Sequence, residues 1–323
     1  MPLRVLALLC LMSACQKPLN DPDAGTPLGG DVADAGVEAK LAAVAQVANT
    51  DADCRKLGDF VWLIGDARGT FGGQQFGHSV TPEEPLKIAS ATKWLFGAYV
   101  AERFKDDPAS IDWEAMRMRT GYVDLNYSSC LFTDTVGGCA AAGNNEHHTP
   151  AEDGFFFYGG GHFQQYAVRL GLGAMTEQTL AAEFSARLGA ELHIAFNSPQ
   201  LAAGGELTPA AYAAFLRKLV AGELALRAQL GANPVCTNPD TCSTAHSSPA
   251  AGFDWHYSLG HWVEDEPGGD GAFSSAGAFG FYPWVDAHAQ SWGLLARYDT
   301  ALTAAMSSAV CGRKLRAAWF ATP

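Results

Sequence analysis

The sequence predicts an α/β protein of the α+β kind, with one sheet drawn from both ends of the chain and a helical lobe from its middle. Three observations carry that expectation. Apolar runs of strand length lie near residues 60–76 and again within 257–296. Segments with apolar residues at helical spacing fill the stretch between them. No period of about 20–50 residues points to a stacked repeat array. The 323 residues are 48% hydrophobic and 17% charged, which suits a folded chain with a sizeable core.

At the start, Arg4 precedes the apolar run Val5–Met12, too short to span a bilayer and shaped like a secretory h-region. The run closes on Met12-Ser13-Ala14-Cys15, which resembles a bacterial lipobox. That resemblance implies a signal peptide over residues 1–14 and lipidation of Cys15. The protein would then be an exported cell-envelope lipoprotein, on the periplasmic face or the outer membrane, meeting the membrane through its lipid anchor only. An ordinary cleaved signal with an incidental cysteine is the alternative. Residues 15–50, rich in Asp, Gly, Pro and Ala over most of their length, read as a flexible tether. Residues 51–323 read as the folded domain, with a sheet lobe of about 51–88 and 252–323 and a helical lobe of about 89–251.

Along the domain, Phe60–Ile64 is a short apolar strand, Asp66–Gly69 supplies a turn, and a second strand is expected near Thr70–Phe76. After Pro82 and Pro85, residues Trp94, Leu95, Ala98, Tyr99 and Ala101 recur at helical spacing to about Phe104. Helices follow at about Phe163–Gly171 and Pro209–Leu219, the latter opened by a Thr208 cap and a proline in the first turn. Strand character returns at Tyr257–Val263, Phe279–Val285 and Ser291–Ala296, and a last helix is expected over about Thr300–Phe320. Trp255, Trp262, Trp284 and Trp292 read as core.

The chain has eight cysteines. Cys10 falls in the signal and Cys15 at the lipid site. The remaining six, an even number in an oxidising compartment, suggest disulfides. Cys130 with Cys139 and Cys236 with Cys242 are close pairs in turn-rich loops, which leaves Cys54 and Cys311 to each other. This is one pairing among the 15 that six cysteines allow. A zinc site fits less well, because Cys236-x5-Cys242 lacks knuckle spacing. His147-His148 and His162 form no His-Glu-x-x-His pattern, so no metal is expected, and His162 reads as structural or pocket-lining. A formal net charge of -13 makes a nucleic-acid partner unfavourable, since phosphate binding needs a cationic excess.

Ser90-Ala91-Thr92-Lys93 opens the first strong helix and puts a hydroxyl and an amine on one face. A serine hydroxyl becomes a nucleophile when a neighbouring base takes its proton. Lysine can be that base once burial or nearby positive charge lowers its pKa. Alone, the spacing describes equally well a serine cap with a solvated lysine.

The context is more specific. Ile88–Phe96 resembles the active-site helix of the penicillin-recognising serine hydrolases, which include serine β-lactamases, DD-peptidases and class C-like esterases. The similarity continues at Thr208–Leu224, Tyr257–Trp262 and Ala276–Trp284, and covers roughly Leu57 to Phe320 in the family's order. It implies a β-lactamase/transpeptidase-like fold, an antiparallel sheet flanked by helices plus an all-helical lobe, with Ser90 as the acylated nucleophile. Phe157–His162 sits where class C-like members carry Tyr-x-Asn. Tyr158 would then be general base or proton relay, its acidity raised by Lys93, unless it is simply a buried aromatic. Gly160 occupies the Asn position, so a side-chain hydrogen bond to substrate is missing. Ser275-Ala276-Gly277 matches the family's Lys-Thr-Gly or His-x-Gly. Gly277 would let substrate lie close, and the N–H groups of Ala278 and Ser90 would form the oxyanion hole. Ser275 replaces a carboxylate-holding cation, unless it is only a polar strand residue.

These residues imply a serine hydrolase acting through an acyl-enzyme on a small-molecule ester or amide or a cell-wall-like substrate, without a cofactor. The alternatives are a D-Ala-D-Ala carboxypeptidase or β-lactamase, and an inert surface-binding lipoprotein. The sequence does not fix the oligomeric state.

Overall fold

Phe60–Asp66 is buried along its length apart from the half-buried Asp66, which means that helices cover both faces of the sheet it belongs to. The computed structural model describes residues 24–32 and 35–322. The signal segment, Cys10 and the expected lipid site Cys15 lie outside the described residues. No described helix is long and apolar enough to cross a membrane.

Nine strands form one antiparallel sheet: β1 (Thr26–Gly29), β2 (Phe60–Asp66), β3 (Gly69–Phe76), β4 (Val235–Cys236), β5 (His256–Ser258), β6 (His261–Glu264), β7 (Ala272–Ser274), β8 (Tyr282–Val285) and β9 (Ser291–Ala296). Their order is β1-β3-β2-β9-β8-β7-β6-β5-β4. The two ends of the chain meet where β2 pairs with β9, from Ser291 opposite Asp66 to Ala296 opposite Val61. One sheet from both termini is what the strand pattern implied.

The longer helices are α1 (Glu38–Thr50), α2 (Thr92–Arg103), α3 (Gly161–Ala167), α4 (Glu177–Leu188), α5 (Pro209–Ala221) and α6 (Ala304–Ala321). α1 and α6 pack on each other and on the sheet, while α5 packs on β2, β8 and β9. α2 is buried from Thr92 to Ala101. Phe96 and Tyr99 on it stack against Phe184 of α4.

Several expectations need correction. The tether of residues 15–50 holds a strand and a helix in its described part. β1 pairs with β3, and α1 buries Val44 and Ala48. The Gly, Pro and Asp bias stops before residue 38, and the Ala-rich stretch beyond it has good helix propensity. Expected strand 257–263 is the hairpin β5–β6. The expected strand at 279 begins only at Tyr282, because Gly277 N–H bonds the Phe281 carbonyl at 2.7 Å and closes a turn. α3 ends at Ala167 and passes into a wider turn over Val168–Leu172. β4 and α5, expected in the helical lobe, belong to the sheet and its cover.

All three cysteine pairs form as the spacing suggested: Cys54–Cys311, Cys130–Cys139 and Cys236–Cys242. Beside the first, Lys314 of α6 reaches Asp51 and Asp53 at 2.8 Å each. Under the sheet, Arg316 meets Glu264 at 2.6 Å and Asp270 at 2.6 Å, and the Tyr282 hydroxyl donates to Glu264 at 2.6 Å. The four expected core tryptophans are buried.

Candidate active site

Ser90 lies in the tight turn Ala89–Ala91 that leads into α2. Ala89 adopts φ 46°, a left-handed conformation that is strained for a residue with a Cβ. Neighbours hold the turn in place. Tyr212 of α5 donates to the Ala91 carbonyl at 2.9 Å, and the Gly205 N–H donates to Thr92 Oγ1 at 2.9 Å. One turn on, Lys93 is 1% exposed. Its Nζ stands 2.9 Å from Ser90 Oγ and donates to the Ala202 carbonyl at 2.8 Å. No carboxylate pairs with it among the described residues. Burial alone pulls its pKa down to about 7, so near neutral pH much of the amine carries a lone pair.

Tyr158 joins them. Its ring stacks on Trp262 at 5.2 Å, meets Tyr257 edge-on at 6.0 Å, and carries Lys93 Nζ 4.9 Å from its centroid. The phenol's acidity departs from expectation. Burial raises its pKa, with the Ser90 hydroxyl pulling more weakly the other way. Lys93 is not among the groups that lower it, so the expected acidification by Lys93 is absent. Tyr158 is therefore a protonated phenol, suited to donating and relaying a proton rather than to acting as a phenolate base. Four residues on, neutral His162 accepts the Thr120 N–H at 3.2 Å and donates to the Phe157 carbonyl at 3.0 Å. Burial lowers its pKa to about 4.

The 275–278 segment closes the other side. Ser275 is buried, and its hydroxyl donates to the Ser90 carbonyl at 3.1 Å. It therefore braces the backbone of Ser90. A Cβ on Gly277 would come within 2.2 Å of the Ile88 carbonyl oxygen. The glycine lets this segment pack against the turn that carries Ser90. Ala278 is exposed and lines a cavity of about 370 Å³ together with Ser90. Among the described residues, no backbone partner takes the N–H of Ser90 or of Ala278. A larger cavity of about 460 Å³ lies between β1, β3 and α5, but it holds no serine or cysteine beside a lysine or histidine.

The pocket also contains residues that sequence reasoning missed, namely Lys87, Tyr127, Leu131, Asn197, Gln200 and Phe279. Tyr127 arrives on a loop capped by Asn126, whose side chain takes the Ser129 N–H at 3.1 Å, and Gln200 donates to the Tyr127 carbonyl at 3.0 Å. Only the nearby Cys130–Cys139 pair hinted that this loop is held in shape. Gly160, where the resemblance expects an Asn, has no side chain to offer. A Cβ there would lie 2.8 Å from the Tyr127 hydroxyl. Among the described residues, no group of three or more His, Cys, Asp or Glu side chains is placed to hold a metal ion.

No protein-family model and no curated protein match the sequence. Solved structures do match. The hydrolase EstCE1, with promiscuous acyltransferase activity, superposes with a TM-score of 0.64 at 12% identity, over 88% of this chain and 99% of that one. A penicillin-binding protein homologue from Caulobacter crescentus gives 0.61 at 11% identity, over 86% and 97%. Simvastatin synthase LovD from Aspergillus terreus gives 0.57 at 12% identity, over 86% and 99%. At these identities the likeness shows the fold, which is that of the β-lactamase and penicillin-binding-protein group.

Proposed function

We propose that this chain, built on the β-lactamase/penicillin-binding-protein fold, is a serine hydrolase that turns over an ester or an amide through an acyl-enzyme. The observation that carries the reading is Lys93 Nζ lying 2.9 Å from Ser90 Oγ, with its pKa down to about 7. The neutral amine takes the Ser90 proton as Oγ attacks the substrate carbonyl carbon. The carbonyl π pair moves to oxygen, and the N–H groups of Ser90 and Ala278 receive the oxyanion. Collapse expels the leaving group, which takes a proton from the lysinium directly or through the Tyr158 hydroxyl. Water then attacks the acyl carbon and gives a proton to the same amine, and collapse of the intermediate expels Ser90 Oγ, which takes that proton back from Lys93. Lys93 is the base and Tyr158 the relay. An ester is favoured, because Ser275 serves the backbone and supplies no cation for a substrate carboxylate.

A second reading rests on Lys87, which is exposed at the pocket rim and could meet a carboxylate there, as a β-lactam or D-Ala-D-Ala peptide would need. Export as a Cys15-anchored lipoprotein, compatible with the disulfides, completes the proposal. A fluorophosphonate probe should label wild type at Ser90 and leave Ser90→Ala unlabelled, and equal labelling of the two would refute the enzyme reading. Comparing nitrocefin and D-Ala-D-Ala peptide with p-nitrophenyl esters separates the two substrate readings. Labelled-palmitate incorporation lost in Cys15→Ala tests the anchor.

A further inference from the structure

The Ala202 carbonyl, which accepts from Lys93 Nζ at 2.8 Å, belongs to a turn rather than to a strand or helix. Two separate supports hold that turn. On the backbone side, Gln164 of α3 takes the Leu201 N–H at 3.1 Å and donates to the carbonyls of Pro199 at 2.8 Å and Val136 at 2.9 Å. On the side-chain side, Ala202 packs in a small buried cluster with Leu125, Cys130 and Cys139, set apart from the main core. The disulfide between those cysteines ties the one-turn helix Tyr127–Cys130 to the short helix Val136–Ala141. Around it, buried Asn145 donates to the Cys139 carbonyl at 2.8 Å, and Gln165 donates to the carbonyls of Ala140 and Asn145 at 2.9 and 3.0 Å. Four small or medium side chains bury too little apolar surface to order a stretch this rich in Ser, Thr, Gly and Asn. The cross-link removes much of the freedom that the open chain would have.

We propose that the Cys130–Cys139 disulfide is a positioning element for Lys93: through Leu125 and Ala202 it fixes the carbonyl that holds Nζ beside Ser90 and keeps the amine dry. The inference rests on the serine-hydrolase reading and adds to it the part of the chain that tunes the base. Other titratable groups near the amine are uncharged at neutral pH. Tyr158 holds its ring centroid 4.9 Å from Nζ, with Tyr257 and Tyr127 next to it, and burial raises the pKa of all three phenols. His261 stacks on Trp94 and His162 donates to the Phe157 carbonyl, each with its pKa lowered to about 4. Lys87 stands exposed at the pocket rim. Dryness is what holds Lys93 near neutral pH, so a loosened cluster that admits water should let it return toward the ordinary lysine value.

The test follows the rate of Ser90 labelling by a fluorophosphonate as a function of pH, since the probe itself does not titrate. Wild type should reach half its maximal rate at a pH of about 7. A double variant, Cys130→Ala with Cys139→Ala, should move that midpoint up by about one pH unit and slow labelling on the acid side about tenfold. Leu125→Ala leaves the cross-link intact, should shift the midpoint in the same direction, and decides alone if the double variant does not fold. Removing the other buried disulfide, by Cys54→Ala with Cys311→Ala, should lower Tm and leave the midpoint in place. An unmoved midpoint in the labelled Cys130→Ala, Cys139→Ala variant overturns the positioning role and leaves the hydrolase reading standing. So does an equal shift on losing Cys54–Cys311, which would mark general loosening. Wild type that labels no better than Ser90→Ala overturns both.

Discussion

Lys93 and Arg316 are both cationic side chains sealed from solvent, each 1% exposed, and their surroundings are opposite. Arg316 lies under the sheet with Glu264 and Asp270 in direct contact and the Tyr282 hydroxyl at 2.9 Å. Those carboxylates keep it charged, and its pKa stays well above the ordinary arginine range despite burial. Lys93 lies in the cleft with a hydroxyl, a carbonyl and an aromatic face, and nothing negative. Burial without a counter-charge drives the proton off and leaves a base. One fold thus buries a basic side chain twice, once as a charged brace and once, on the proposed reading, as a base, and the presence of carboxylates decides which.

The largest effect should come from Lys93→Met, which is expected to lower kcat/KM for a p-nitrophenyl ester by roughly 10²–10⁴-fold, the usual contribution of a positioned base. Near-normal turnover would remove the reagent half of the contrast. Next in size, Arg316→Met leaves Glu264 buried with its nearest cation gone and Arg313 the remaining one at 3.3 Å, and should cost about 3–5 kcal/mol in denaturant unfolding. Pairing it with Glu264→Gln should recover part of that loss.

The pH profile sharpens the contrast further. Turnover should fall about tenfold per pH unit below 7 as Lys93 gains a proton, and level off above it. Stability moves in the same direction. Between about 7, the folded value, and 10.5, the ordinary lysine value, the unfolded chain holds the Lys93 proton and the folded chain does not. This group's contribution to stability therefore rises with pH across that window. The smallest expected change follows. At pH 7, Lys93→Met should raise Tm, by about 2–4 °C for each kcal/mol regained. A fall in Tm would mean that the amine is not the burden its burial suggests.

What the sequence disclosed was local. Ser90 and Lys93 are one helical turn apart, so their meeting could be read from spacing. β2, β3 and β9 are long enough and apolar enough to announce themselves. Tyr158 was reachable through the resemblance of its segment, though not its acidity, which depends on Trp262, Tyr257 and the depth of the cleft. Tyr127 and Asn197 left no trace, because Tyr127 opens a one-turn helix held by distant partners such as Gln200 and Asn145, and Asn197 follows a two-residue strand. β1, β4 and β7 were missed for a related reason. Strands of three or four residues, or two in β4, are specified by the edge they join rather than by their own pattern. α1 hid because its composition overlaps that of the linker-like segment before it.

The seam between β2 and β9 joins residues 60–66 to residues 291–296, and Cys54–Cys311 ties the same ends together. The ribosome releases the early partner long before the late one. Until almost the whole polypeptide has emerged, β2 has no neighbour on that side and the sheet cannot close. Loop closure over such a distance is slow. The topology therefore postpones closure of the sheet, and with it assembly of the candidate cleft, until the last strand is delivered.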